Sequence, residues 1–546
     1  MKKHLLLSLL VTQYSLLLTA QTSGEWTWMS GDSIPNSSGI FGTQGISDLV
    51  NKPPGLYQSC SWTDHDGNFW LFGGANFTSQ GGFRPYNTLW KYTPATNEWI
   101  WMKGSNAPFS YGVYGILGVP DNSNNPGARY MTSSWVDSSG NLWLFGGYGN
   151  DNGTFGTGIL NDLWKYSITT NEWTWMKGAN SAYQQAVWGQ KQLADSTNTP
   201  GGKAQANSWT DANGDLWLFG GFLHYSLTYY NDLWRYNIAT NEWTWMKGDS
   251  LPGQLGSFGT LGIADSTNNP SARTCQAHWV DSSGNLWLFG GYAGSVAKDD
   301  LWQFLTAQNN WVYWGGTVLG MPIQNDGILC LADTLNHPPA REQCACVWNT
   351  GSNFWMFGGY GSCLANFNIQ PQGDVWKLFP DSKMWIRVNG EDCDHSGIFG
   401  QQGISSPVNR PASRFGSVSW QDTAGNFYVF GGTNDLLPND QSPCFNDLWR
   451  YVPDSTCGVY TEVNEIAQQE NQIEIYPNPA SDVLHVKYSS PEKTTLTIFN
   501  HLGTIVMRRN LVNTNDVDVS LLPQGMYLIT VCADGNCYSR KLVIMK

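Results

Sequence analysis

The feature that most limits how this chain can fold is a six-fold internal repeat. The string WVDSSGNLWLFGG at 135–147 recurs in variant form, with Gly-Gly pairs at 73–74, 146–147, 220–221, 290–291, 358–359 and 431–432, a period of 68 to 74 residues. Repeats of this kind build architectures in which each unit hides an apolar face against its neighbours.

Each unit reads as four short strands. The first ends near Trp135 and the second spans 141–145. Between them, Asp or Asn stands at 64, 137, 211, 281, 349 and 422, and Gly follows three residues later except at Ser352. A short Asp-to-Gly link between apolar runs is a hairpin signal. The third strand holds Leu163 to Tyr166, and the fourth holds Trp173 and Trp175, which alternation puts on one face. Every Trp but Trp188 lies in these recurring segments, so the Trp content reads chiefly as packing between sheets.

Counting strands sets the topology. All six units have the first three strands, but the last runs from Tyr451 into Pro453 without a fourth. A matching segment, EWTWMSG at 25–31, stands at the other end. The N-terminal strand is therefore expected to complete the last blade and remove an exposed sheet edge. The Gly-Gly pair after an apolar strand, followed by a later Trp (146–147 and Trp173, for example), resembles the kelch family over roughly 24–457. The resemblance implies an all-β, six-bladed propeller over 21–458. Kelch propellers include the catalytic domain of galactose oxidase, but fold alone carries no function.

The ends carry different signals. Lys2 and Lys3, an apolar stretch over 5–18 and Leu18-Thr19-Ala20 read as a signal peptide over 1–20. That stretch is short for a membrane span, and no second long apolar run follows. Residues 459–472 are polar and aromatic-poor, a linker. From Ile473 a new domain of alternating strands runs to Lys546 and reads as a small β-sandwich. YPNP at 476–479, IFNHLG at 498–503, LPQGMY at 522–527 and the basic, apolar end resemble the type A sorting domain of the type IX secretion system of Bacteroidota. The resemblance implies a secreted or outer-surface protein whose tag meets the type IX machinery.

Composition narrows the partner. The net charge of -14 disfavours a phosphate backbone, so nucleic acid is a poor partner. Of the 11 Cys, Cys532 and Cys537 flank an Asp-Gly hairpin turn and are expected to pair. The other pairings stay open.

In a four-stranded meander, one face carries the short, nearly identical turns and the other every long, variable loop. Function concentrates on such loops, so the long-loop face is the expected binding surface. Its loops bring Arg84 and Tyr86 in the first unit, Trp188 entering the third, and Phe222, His224, Tyr225, Tyr229 and Tyr230 within the third. Aromatics among Asn and Asp suit a glycan or a protein partner. Arg129, Lys203, Arg273, Arg341 and Arg414 share one slot, 17 residues before their Gly-Gly pairs, with Leu56 in the first unit. They form either a cationic ring for an anion or, more simply, structural pairs. No His-x-His, His-Glu-x-x-His or Gly-x-Ser-x-Gly spacing appears, so no catalytic, metal or cofactor residues are assigned. The expectation is a binding scaffold, with a carbohydrate-active enzyme on the same face as the alternative.

Overall fold

In the computed structural model, residues 24–546 are described apart from 78–81, 224–227, 295, 318–324, 326, 364–368, 391–392, 394, 436–441, 455, 459–472, 489–493, 501–504, 512–515 and 534–535. The chain divides into two compact units, 1–458 and 459–546.

Along the chain, the first unit holds five four-stranded antiparallel sheets and, within an eight-stranded one, the strands Ala277–Val280, Leu286–Tyr292, Ala297–Leu305 and Asn310–Gly315 paired in the same order. In the second, Ser133–Val136, Leu142–Phe145, Leu163–Ser167 and Glu172–Lys177 pair in chain order. The last contains Val418–Gln421, Phe427–Phe430 and Leu448–Tyr451, and Trp26–Ser30 supplies its fourth strand, Trp28 opposite Trp449. The innermost strands, from Cys60–Thr63 to Val418–Gln421, touch in a circuit that returns from the last to the first.

Why these residues make blades is visible in the turns and the packing. Asp137 closes its hairpin by accepting from the amides of Ser139 and Asn141 and from Trp143 Nε1 at 2.7 Å. The second strands are buried on both faces. Their aromatics interleave between neighbouring sheets: Trp70 meets Tyr166 and Phe72 meets Trp173. Burying rings of this size supplies most of the packing energy of such a stack.

The long connections into each blade share a design that the sequence reading did not resolve. Each runs out to the rim and pairs with the outermost strand of the blade it leads into. Asp48 meets Trp99, Asp121 meets Trp173, Asp195 meets Trp243, Asp333 meets Trp385 and Ser406 meets Trp26, while Ala264–Asp265 meets Trp311 and Val312. A buried Asn fastens the loop: Asn124 donates to the carbonyls of Val119 and Trp173. Gly115 lies so close to Asn124 that a Cβ there would meet its Oδ1 at 2.3 Å. The loops thus shield edge strands that would otherwise template foreign pairing. The expectation that every long loop on this face is variable therefore holds only for the links between second and third strands.

In the second unit a three-stranded sheet (Ile473–Tyr476, Val483–Tyr488, Asp516–Asp518) and a four-stranded sheet (Thr494–Phe499, Ile505–Leu511, Gly525–Ala533, Asn536–Ile544) enclose Leu484, Val486, Leu496, Ile498 and Ile544. Cys532 and Cys537 stand directly opposite each other in register.

Candidate functional site

The shared cationic slot is structural. Arg129 is fully buried and pairs with Asp162, and Arg273–Asp300, Arg341–Asp374 and Arg414–Asp447 repeat the arrangement. Neutralised inside the blades, these cations do not form an anion site.

The third blade departs from this pattern. Where the second has Gly127-Ala128-Arg129, it has Gly201-Gly202-Lys203. Lys203 Nζ still reaches Asp232 at 2.7 Å and the Gly220 carbonyl at 2.9 Å, and sits 4.7 Å from the centre of the Tyr230 ring. Burial pulls its pKa below the usual lysine value, against the attraction of Asp232. The shorter Lys and the missing methyl at Gly202 accompany a recess of about 60 Å3 lined by Trp188, Gly202, Lys203 and Asp232. Gln185, Leu223 and Tyr230 line both this recess and an open groove of about 510 Å3, which Tyr183 and Thr228 complete. Tyr183 is 40 % exposed, and its hydroxyl donates to the Thr157 carbonyl at 3.2 Å. The groove offers ring faces beside an amide and a hydroxyl, the mixture that orients amphipathic ligands.

The residues expected from sequence are distributed as follows. Trp188 borders the recess but packs 5.3 Å from Trp234 and 4.8 Å from Trp245. Phe41, Tyr114, Phe258 and Phe399 pack against Trp90, Trp164, Trp302 and Trp449 in the same way, so Trp188 fills a repeated structural slot. Tyr229 is buried against Tyr292, its ring centroid 5.7 Å away, next to the groove residue Tyr230. Tyr86 is buried and accepts from Asn76 Nδ2, while Arg84 is half-buried in Phe83–Pro85. These two belong to the first blade, apart from the third-blade group. His224 and Tyr225 lie outside the described residues. Sequence reasoning named Tyr230 but missed Tyr183 and Gln185. The signal that could have found them was the break from Gly-Ala-Arg at 127–129 to Gly-Gly-Lys at 201–203.

It also missed Glu342, on the same face. Glu342 is buried, Oε2 has no hydrogen-bond partner among the described residues, and burial pushes its carboxyl up to about 7. Tyr360 stands opposite it in register.

The axis of the first unit is closed on the loop face. Gln58, Met131, Gln205, Cys275, Cys344 and Gly416 all have φ between 49° and 64° and form a collar. Backbone amides link Met131 to Gln58, Gln205 to Met131, Cys275 to Gln205, Gly416 to Cys344 and Gln58 to Gly416. The remaining junction is spanned by the Cys275–Cys344 disulfide. The Gln58 amide lies across the axis, accepting from Gln205 Nε2 at 3.0 Å and meeting both disulfide sulfurs at 3.8–3.9 Å. Two more disulfides, Cys330–Cys457 and Cys363–Cys393, join cysteines whose pairing the sequence left open.

Repeated four-stranded sheets make this an all-β protein with a propeller, and its sequence is similar to kelch proteins. Among curated proteins, Kelch domain-containing protein 10 of Xenopus tropicalis is 23 % identical over 398 residues, 71 % of this chain and 73 % of that one. The human protein of that name is 21 % identical over 411 residues, 74 % and 72 %. Beta-agarase D of Zobellia galactanivorans is 30 % identical over 78 residues, 14 % and 16 %. Residues 474–545 match the family described as Secretion system C-terminal sorting domain. The chain thus carries a type IX sorting domain, and its place is outside the cell or on the outer surface. Among the described residues no helix is long and apolar enough to cross a membrane.

Proposed function

We propose that this protein is an extracellular binding scaffold whose propeller engages a glycan through the groove between the second and third blades. Residues 1–20 serve as its signal peptide, 21–458 as the binding propeller, 459–472 as a linker and 473–546 as the export tag. The observation that carries the reading is the groove itself: Tyr183 and Tyr230 offer aromatic faces beside the Gln185 amide and a recess holding the Lys203–Asp232 pair. A pyranose ring presents an apolar face for such rings and hydroxyls for the amide and the ion pair. Tyr229 precedes the groove residue Tyr230 in the chain, and His224 and Tyr225 fall between the groove residues Leu223 and Thr228 in sequence. A screen of the propeller against a glycan array tests this. Saturable binding that Tyr183→Ala and Tyr230→Ala weaken about tenfold or more supports it. Binding that survives both substitutions overturns the groove assignment, and no binding to any glycan overturns the glycan reading and leaves a protein partner on the same face.

One observation favours a second reading, a carbohydrate-active enzyme. Glu342 holds a proton near neutral pH, as a general acid must. Release of reducing ends from polysaccharides, abolished by Glu342→Gln, would establish it; no release by the native chain would dismiss it.

A further inference from the structure

Below the collar the axis widens into a cavity of about 300 Å3. It continues past the ring of Ser61, Ser134, Ser208, His278 and Ser419 into a mouth of about 470 Å3, bordered by Thr63, Thr210 and Asn349 beside the short turns. The deep central space therefore opens on the face of uniform turns, not on the long-loop face expected as the binding surface.

Five blades give this cavity little to grip with. At one level they present Ser59, Thr132, Ala206, Ala345 and Ser417, and at the next Ser61, Ser134, Ser208, Val347 and Ser419. Several of these hydroxyls are already engaged with carbonyls of the next blade: Ser134 donates to Ser61, Ser208 to Ser134 and Ser419 to Val347. The fourth blade breaks the pattern at both levels, with Gln276 and His278. Gln276 is 3 % exposed, yet among the described residues neither its side-chain oxygen nor its nitrogen has a hydrogen-bond partner. Leaving an amide so buried and unpaired costs about 1–3 kcal/mol. His278 Nδ1 faces the Gln276 carbonyl at 3.4 Å; because a carbonyl only accepts, Nδ1 carries the proton and Nε2 is left as an acceptor. Burial lowers the imidazole pKa to about 4, so the ring is neutral at physiological pH. The wall contains no Asp, Glu, Lys or Arg. An ion would find no countercharge there, whereas an uncharged molecule with both donors and acceptors matches the wall.

We infer that the axial cavity is a second binding site, reached from the turn face, for a small neutral polyhydroxy compound (a monosaccharide or polyol) held by the Gln276 amide and the His278 imidazole. The volume equals the liquid share of about ten waters, enough for one such molecule. The site is independent of the loop-face groove.

The test is calorimetric titration of the full chain with glycerol, D-glucose and D-galactose, and with D-galacturonate as the charged control. At least one neutral probe binds saturably. Gln276→Ser and His278→Ser each weaken it about tenfold, the loss of one ligand hydrogen bond, while Tyr183→Ala leaves it unchanged. Galacturonate binds at least about tenfold more weakly than the neutral sugar of the same shape. Both Ser variants install a residue that other blades already carry at that level, so they keep the fold. Equal affinity in both, equal affinity for galacturonate, or no binding of any neutral probe overturns the inference. A crystal of the native chain soaked in the same probes gives an independent reading: probe density between Gln276 and His278 supports the site, and ordered water alone overturns it.

Discussion

Arg129 and Asp162 form a two-pronged ion pair, Nη1 to Oδ1 at 2.7 Å and Nη2 to Oδ2 at 2.8 Å, with both side chains fully buried. Asp162 also accepts from Trp164 Nε1 and the Tyr114 hydroxyl, each at 2.7 Å. In the first blade both charges are absent together: Leu56 stands in the Arg slot and Thr88 in the Asp slot. There Trp90 Nε1 and Thr88 Oγ1 are buried without a hydrogen-bond partner among the described residues. The charges are kept or lost as a pair because one alone, desolvated, is costlier than neither.

Arg129→Leu is therefore expected to destabilise the propeller by about 3–5 kcal/mol, the cost of an uncompensated buried charge. Adding Asp162→Thr, which recreates the first blade's arrangement, restores most of that loss. Urea unfolding of the single and double variants checks it. A double variant no better than the single one would refute the coupling.

Trp188→Ala lowers stability by about 3 kcal/mol, the low end for truncating a packed aromatic. Trp188→Phe changes it by less than about 1.5 kcal/mol, since Phe41, Phe258 and Phe399 fill the same slot elsewhere. Thermal melts decide this. They also show why lost binding in the Ala variant would not by itself mark Trp188 as a ligand contact.

Asn124→Ala removes two buried hydrogen bonds and is expected to cost about 1–3 kcal/mol. The rim segment around Asp121 then loses its hold on Trp173. Limited proteolysis should cut near 113–124 faster than in the native chain. An unchanged rate would mean that the apolar contacts of the loop suffice.

Glu342 makes stability depend on pH. Its carboxyl is raised from 4.5 to about 7 in the folded chain, so the folded state binds the proton more tightly than the unfolded one. The contribution is fully present below pH 4.5 and is lost as pH rises through 7. Glu342→Gln keeps the shape without the charge. At pH 8 it should stabilise the chain by about 2–3 kcal/mol, since each tenfold difference in proton affinity between the folded and unfolded chain is worth about 1.4 kcal/mol. At pH 4 the two proteins should melt alike. A pH-independent difference would show that burial does not perturb this carboxyl.

What sequence alone determined is the part governed by local, periodic chemistry. The Asp-to-Gly hairpins, the Trp-bearing strands and the missing fourth strand of the last unit are each set by residues a few positions apart. Pairing of Trp26–Ser30 with Leu448–Tyr451 follows from counting them. The sorting domain was legible for the same reason, as four short strings in order. Only the tertiary structure decided which aromatics remain available. Tyr229 and Tyr183 are the same residue type, yet one is buried against Tyr292 and the other is 40 % exposed, because their neighbours come from different blades. It also decided which end of the axis is open. Gln58 closes the loop face by touching Gln205 and the Cys275–Cys344 disulfide, partners at least 147 residues away in the chain. No local pattern encodes such a meeting: it arises only when separate sheets, each with its own register, bring their inner strands to one axis.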